Sequence, residues 1–381
     1  MRNLHLPGTL LLVVLSMHPA GGQTFELLHA FQSSDGSYPQ ARLVQGSDGN
    51  FYGTTYRGGP TGRNLGTVFR MTPNGKLTTL VTFDYSNGRH PSGELVEGSD
   101  GSFYGTTTFG GAHDYGTIFQ MMTNGALVTL LSFNSYDGSY PMAGLIWGSE
   151  GNLYGTASSG TVFTITPAGA MVTLVTFNGL NGAYPVGGLT IGRDGFLYGT
   201  TSRGGASFDG TVFRMTLNGD LTTIVSFNGS NGRIPVARLL EAKDGNFYGT
   251  TDHGGENNTG TVFQIKDGSA LTTLVSFTGN NGRFPMAELI QGKNGKFYGT
   301  TANGGDNDYG TVFEVTHNGK LTTLVSFNNS NGAYPMAGLT LGSDGNLYGT
   351  TQEGGAFGGG PWGYGTVFRI AMKGKAVGHE P

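Results

Sequence analysis

Short runs of apolar and β-branched residues recur along the chain, each closed off by glycine, asparagine or aspartate. The stretch 287–327 holds four of them: run a at 287–291, run b at 296–301, run c at 310–315 and run d at 321–327. Their Thr, Val, Phe, Tyr and Leu content suits pleated strands. Asn294-Gly295 separates a from b, and Asn318-Gly319 separates c from d. Such dipeptides tolerate positive φ and favour tight hairpins, so consecutive strands must be antiparallel. The d–a and b–c connections are longer and fall together on the opposite side.

This four-run pattern is a repeat. Tyr-Gly-Thr starts at Tyr52, Tyr104, Tyr154, Tyr198, Tyr248, Tyr298 and Tyr348, with gaps of 52, 50, 44, 50, 50 and 50 residues. A period this long marks one supersecondary unit used many times. Seven antiparallel four-stranded units predict an all-β, seven-bladed β-propeller. The two ends support a closed ring. Residues 25–31 read as a run d with nothing before it, while the seventh unit has a at 337–342, b at 346–351 and c at 365–370 but no d. The first strand is expected to complete the last blade, which removes open sheet edges.

Composition narrows the function. The 70 glycines keep their place in each repeat, so they read as turn and close-packing residues rather than as low complexity. A net charge of −4 with no basic run gives no support to a nucleic-acid partner. The absence of cysteine excludes disulfides, thiolate metal sites and thiol nucleophiles. Arg2, the apolar residues 9–17 and Ala20-Gly21-Gly22 have the form of a secretory leader, cleaved before Gln23. The apolar run is too short to span a bilayer, and no later segment is longer. The expected layout is a leader at 1–22, one propeller at 23–375 and a tail at 376–381. The expected location is secreted or periplasmic, with no membrane span in the mature chain.

Candidate function lies on the d–a/b–c face, since binding residues favour variable loops on a rigid scaffold. The b–c loops vary most. In blade one the loop carries Arg57 and Arg63; in blade seven it is expanded and carries Trp362; in blade three only Ser158-Ser159 remain, which accounts for the 44-residue gap. Long loops on blades seven and one predict a ridge, and blade three a notch. In the d–a loops the residue before proline is Tyr38, His90, Tyr140, Tyr184, Ile234, Phe284 or Tyr334. Proline biases that residue towards an extended backbone. The aromatic members are either wedges between blades or stacking surfaces for sugar rings. Tyr38, Arg57, Arg63, Tyr140, Tyr184, Tyr334 and Trp362 are the ligand-binding candidates, and carbohydrate or another extracytoplasmic protein is the partner class they fit.

The second position of run a reads Arg42, Glu94, Gly144, Gly188, Arg238, Glu288, Gly338 around the ring. Adjacent opposite charges predict two channel ion pairs, Arg42–Glu94 and Arg238–Glu288. A propeller glycosidase needs paired carboxylates at set distances. Glu97 and Glu241, unpaired and convergent, would supply them; splayed into separate joints they would not. The expected function is a non-enzymatic binding or scaffold propeller, with a carbohydrate-active enzyme using channel carboxylates and a purely structural envelope protein as the alternatives. His113-Asp114 and Asp252-His253 read as loop residues. A Ser-Asp-Gly-Asn turn offers one carboxylate where a calcium loop needs several, so no metal or cofactor is expected.

Residues 344–351 (Asp-Gly-Asn-Leu-Tyr-Gly-Thr-Thr), Gly354-Gly355 and 365–368 (Gly-Thr-Val-Phe) resemble the bacterial GloVer tandem-repeat proteins, the choice-of-anchor repeat proteins of Gloeobacter and Verrucomicrobia type. The resemblance covers residues 25 to about 370 and all seven copies. It implies an exported, repeat-built protein and carries over no catalytic residue. Members with an anchor have a C-terminal signal; residues 373–381 here have neither an apolar helix nor a basic cluster, which points to a free exported form. Kelch propellers share the period and the double glycine, but here the glycines sit in the b–c loop, so the likeness is one of fold alone.

Overall fold

In the computed structural model the described residues are 23–372, apart from 267, 269 and 356–362. The expected leader, the expected tail and Trp362 fall outside them. Seven four-stranded antiparallel sheets form the blades, and no helix occurs among the described residues. Blade six shows the plan: a is Ile290–Gln291, b is Phe297–Thr301, c is Thr311–Val315 and d is Leu321–Ser326. Blade seven takes its d strand, Thr24–Ala30, from the start of the chain, pairing Thr24 with Ala371 and Ala30 with Thr366.

Strand a is shorter than its apolar run. Only Ile290 and Gln291 pair with strand b. Ala287 instead presents its carbonyl to the preceding blade, where the Thr250 hydroxyl donates to it at 2.9 Å. The same bond recurs from Thr106, Thr156, Thr200 and Thr300 at 2.9–3.1 Å. In these five blades the first threonine of the repeated Tyr-Gly-Thr ties blade to blade, whereas the buried Thr54 hydroxyl makes no such bond.

The rest of that motif is equally determined. The Tyr52 hydroxyl donates to Asp48 of its own a–b turn at 2.9 Å, and Asp48 also accepts from the Asn50 amide at 3.0 Å. Burial and the Asp48 carboxylate push the Tyr52 hydroxyl up to about 12. The glycine is required by close approach: a Cβ on Gly299 would lie 2.6 Å from the Phe313 ring and 2.8 Å from Leu289. The second threonine meets the threonine that opens strand c, as in Thr301–Thr311 at 2.8 Å.

The core sits between blades. Seven apolar clusters each join the facing sides of two neighbours, for example Tyr248, Val262 and Val275 of blade five with Phe297 and Phe313 of blade six. Tyr248 and Phe297 rings lie 4.1 Å apart across that joint. Every c–d pair carries a bulge; in blade six Val312 pairs with Val325 and Phe313 with Thr323, leaving Leu324 extra. Bulges sharpen strand twist, which suits the steep pitch of propeller blades.

Candidate functional site

Four charged side chains meet in the channel, but not as sequence adjacency predicts. Arg42 lies 3.0 Å from Glu288, and Arg238 contacts Glu94. The expected Arg42–Glu94 and Arg238–Glu288 pairings are corrected: each pair reaches over glycine positions. A Cβ on Gly144 would stand 2.7 Å from the Glu94 carboxyl carbon, one on Gly188 2.8 Å from Arg238 Nε, and one on Gly338 2.7 Å from Glu288 Oε1. The glycines leave the room in which the long side chains lie across the axis. Burial raises the Glu94 carboxyl, but the Arg238 and Arg42 charges outweigh it and hold it below its ordinary value. These ion contacts are close without the angles of hydrogen bonds: Arg42 Nε, Arg238 Nε and Glu288 Oε1 are buried and form none. Coulomb attraction across a desolvated channel is their main link.

Glu97 and Glu241 serve two different joints. Glu97 accepts from the Ser47 amide at 2.9 Å and the Ser47 hydroxyl at 2.6 Å; Glu241 accepts from the Arg193 amide at 3.0 Å. Gln45 and Gln291 do the same for Ser343 and Lys243, at 2.8 and 3.0 Å. The last residue of strand a is thus a brace for the preceding blade's a–b turn, not half of a carboxylate pair.

On the loop face the pre-proline residues hold a surprise. All seven, from Tyr38 at φ 57° to Tyr334 at φ 56°, are left-handed, including the β-branched Ile234 at φ 57°. The extended backbone expected there is corrected. Such residues disfavour the left-handed conformation, and in six of the seven hydrogen bonds on both sides of the residue hold it. The Phe284 amide donates to Thr259 of the preceding blade's b–c loop at 2.9 Å, while the Phe284 carbonyl accepts from Ala302 of its own blade at 3.0 Å. Tyr38, His90, Tyr140, Ile234 and Tyr334 make the same clasp at 2.8–3.0 Å, to Tyr364, Leu65, Tyr115, Asp209 and Tyr309.

The structure groups the predicted loop residues only in part. Arg57 lies over the Tyr38 ring at 5.4 Å, and Tyr140 touches Phe109 and Tyr115 at 5.2 and 5.7 Å. His90 stacks on Tyr56 at 4.6 Å, with its Nδ1 2.7 Å from the Tyr56 carbonyl, and burial lowers its pKa. Arg63 is exposed on the blade-one loop. Tyr334 stands on the far side, lining a cavity of about 330 Å³ with Phe284, His253, Asp252 and Asn303. There Asp252 Oδ2 sits 3.0 Å from His253 Nδ1, and burial raises the Asp252 carboxyl despite that histidine. The blade-seven half of the expected ridge falls outside the described residues.

Two features escape the repeat pattern. Trp147 replaces the brace residue in blade three, donates to the Glu97 carbonyl at 3.0 Å, and lines open grooves of about 430 and 520 Å³ on the short-turn face. The signal is a lone tryptophan where other copies have Gln, Glu, Ile or Leu. Among the described residues the nine exposed large apolar side chains all lie between Tyr85 and Phe208, among them Tyr136 at 93%, Leu180 at 79%, Phe208 at 69% and Tyr184 at 56% exposure. No single copy stands out in sequence; the concentration shows only on the folded ring.

The chain belongs to the Gloeobacter/Verrucomicrobia repeat family, whose profile matches residues 13–160, 157–242 and 191–378. No curated protein matches it. Among solved structures it is similar to virginiamycin B lyase from Staphylococcus aureus, at 15% identity over 92% of this chain and 100% of that one, with a TM-score of 0.65. It is also similar to the WD40 β-propeller domain of Doa1, at 13% identity over 92% and 98%, with a TM-score of 0.60. A third is a putative 6-phosphogluconolactonase from Bacteroides fragilis, at 20% over 80% and 88%, with a TM-score of 0.52. At these identities the likeness is one of fold.

Proposed function

We propose that this chain is an exported, non-enzymatic binding propeller whose ligand meets the d–a/b–c face over blades two to four. One observation carries the reading. Exposed apolar side chains scattered singly over a surface need no explanation, whereas a concentration of them marks an interaction site. Among the described residues all nine fall in one sector, and six of them, Tyr85, Tyr136, Met142, Leu180, Tyr184 and Phe208, lie in d–a or b–c connections. The corresponding d–a loop position is Tyr136 and Leu180 in that sector and Ser230, Asn280 and Ser330 across the ring. Export is supported by the leader-like residues 1–22.

A carbohydrate-active enzyme using channel carboxylates loses its support. Glu94 and Glu288 are neutralised by arginines, and Glu97 and Glu241 hold separate turns. None of the four forms the acid-and-base pair that glycoside cleavage needs. The test is to incubate the mature chain, from Gln23, with an oligosaccharide panel and with extracytoplasmic protein fractions, with and without calcium. Melting temperature and the mass of each sugar are recorded. Binding that Tyr136→Ser with Leu180→Ser abolishes, with sugars intact, supports the reading; cleaved sugars sink it.

A further inference from the structure

The notch in blade three has a definite shape, because the molecule displays its missing occupant six times. In six joints the pre-proline amide donates to a b–c loop carbonyl of the preceding blade. That carbonyl follows a left-handed residue: Asn64, Asp114, Phe208, Asn258 or Asp308 at φ 55–63°, or Gly363 at φ 64°. Its own side chain is Tyr in three copies and Leu in a fourth. It leads into a Gly-Thr whose glycine touches the next proline; a Cβ on Gly116 would lie 2.7 Å from Pro141, and one on Gly310 2.5 Å from Pro335.

Blade three lacks this loop. Between Ala157 and Gly160 stand only Ser158 and Ser159. The Tyr184 amide accordingly donates to no group among the described residues, and its carbonyl alone is bonded, accepting from the Ser202 amide at 3.0 Å, the Ser202 hydroxyl at 3.1 Å and the Val186 amide at 3.0 Å. Tyr184 is the one exposed pre-proline residue of the seven. A Cβ on Gly160 would meet nothing within 4 Å. Backbone donor, aromatic ring and open space thus coincide, in the same loop as the exposed Leu180.

We infer that the notch between blades three and four binds a polypeptide turn of a partner protein, in place of the b–c loop that blade three lacks. This rests on the loop-face reading and specifies its partner. The turn presents a left-handed Asn, Asp or Gly followed by Tyr or Leu. The carbonyl of that second residue accepts from the Tyr184 amide, and its side chain covers the Tyr184 ring. A polypeptide is favoured over a saccharide because a polypeptide fills the equivalent space at every other joint.

The probe is a cyclised peptide of blade two's loop, residues 109–117 (Phe-Gly-Gly-Ala-His-Asp-Tyr-Gly-Thr), titrated into the ¹⁵N-tyrosine-labelled mature chain. The Tyr184 amide is assigned through Tyr184→Phe. A saturable shift of that amide with Kd of about 1 mM or tighter is expected. Replacing Ser158-Ser159 by residues 108–115 fills the notch internally and should weaken the peptide at least tenfold. The filled chain's melting curve verifies its fold. No shift at saturating peptide, or equal binding by the filled chain, overturns the inference. A dimer of the parent chain that the filled chain does not form would also overturn it, by assigning the notch to a second copy. If oligosaccharides move amides over blades two to four while the peptide moves none, the notch inference fails and the binding-face reading survives. Silence from both probes and from the protein fractions fails both.

Discussion

The joint between blades five and six is held in three layers. Near the channel Thr250 donates to Ala287; in the middle Tyr248 and Val262 pack on Phe297 and Phe313; at the loop face Thr259 clasps Phe284 and Gly260 abuts Pro285. The joint between blades three and four keeps the first two. Thr156 donates to Gly187 at 3.1 Å, and Tyr154 and Val162 pack with Leu197 and Phe213. Its third layer is gone, and so is the threonine pair beneath it, since Ala157 stands where Thr251 faces Thr261 at 2.8 Å. The lesson is that the layers are separable. The buried core and inner hydrogen bond close the ring by themselves, so the outer layer is free to change and to carry function.

The layers are not separable if the cores of the two joints differ in strength. Phe313→Ala and Phe213→Ala should each cost about 3–5 kcal/mol, because both rings are fully buried against a glycine that leaves little room to relax. Urea denaturation measures both. A cost at Phe213 smaller by half would show that the deficit of blade three reaches the core.

Arg238→Met tests the channel across the weak joint. It leaves Glu94 buried without its nearest cation and should cost about 3–5 kcal/mol near pH 7. The pH dependence has a definite sign. The native Glu94 pKa is lowered from 4.5, so its ionised form stabilises the fold above that value and the contribution is lost as pH falls through the lowered native value. The deficit of the variant should therefore shrink on acidification below about pH 4. A deficit independent of pH would assign the loss to packing.

Filling the notch with residues 108–115 should raise stability by roughly 1 kcal/mol, one backbone hydrogen bond's net worth. That is about 2 °C in melting temperature for a chain of this size. Slowed hydrogen exchange at the Tyr184 amide gives the more direct reading, and unchanged exchange would mean that the graft does not form the clasp.

The smallest effect exchanges one group between the joints. Thr251→Ala should lower stability, and Ala157→Thr raise it, each by no more than about 1 kcal/mol. A loss on Ala157→Thr would show that blade three has reshaped around the smaller residue.

The strands, hairpins, blade number and Velcro-like closure by residues 25–31 were readable because each rests on local chemistry repeated seven times. The notch too was readable, as a six-residue loss in a constant period. The Asp48 turn and the Tyr52 bond to it are local enough to follow from spacing. The channel pairing was not. Arg42 and Glu94 are neighbours in ring order, but side-chain length and the empty glycine positions send Arg42 to Glu288. The left-handed Tyr38 and its six counterparts defy the proline rule; an acceptor on the preceding blade holds six of them, and Tyr184 keeps the same backbone without one.

By itself the sequence determined everything that depends on short-range periodicity: which segments pleat, where they turn, how many blades form and which end closes them. The tertiary structure decided what depends on contacts between blades. It set the arginine–glutamate partners, the clasp on six of the seven pre-proline residues, the bracing roles of Glu97 and Glu241, and the gathering of exposed apolar groups over blades two to four. The reason is that local pattern specifies a strand's face, while the partner across a blade joint is chosen by which side chains have the reach and the room to meet.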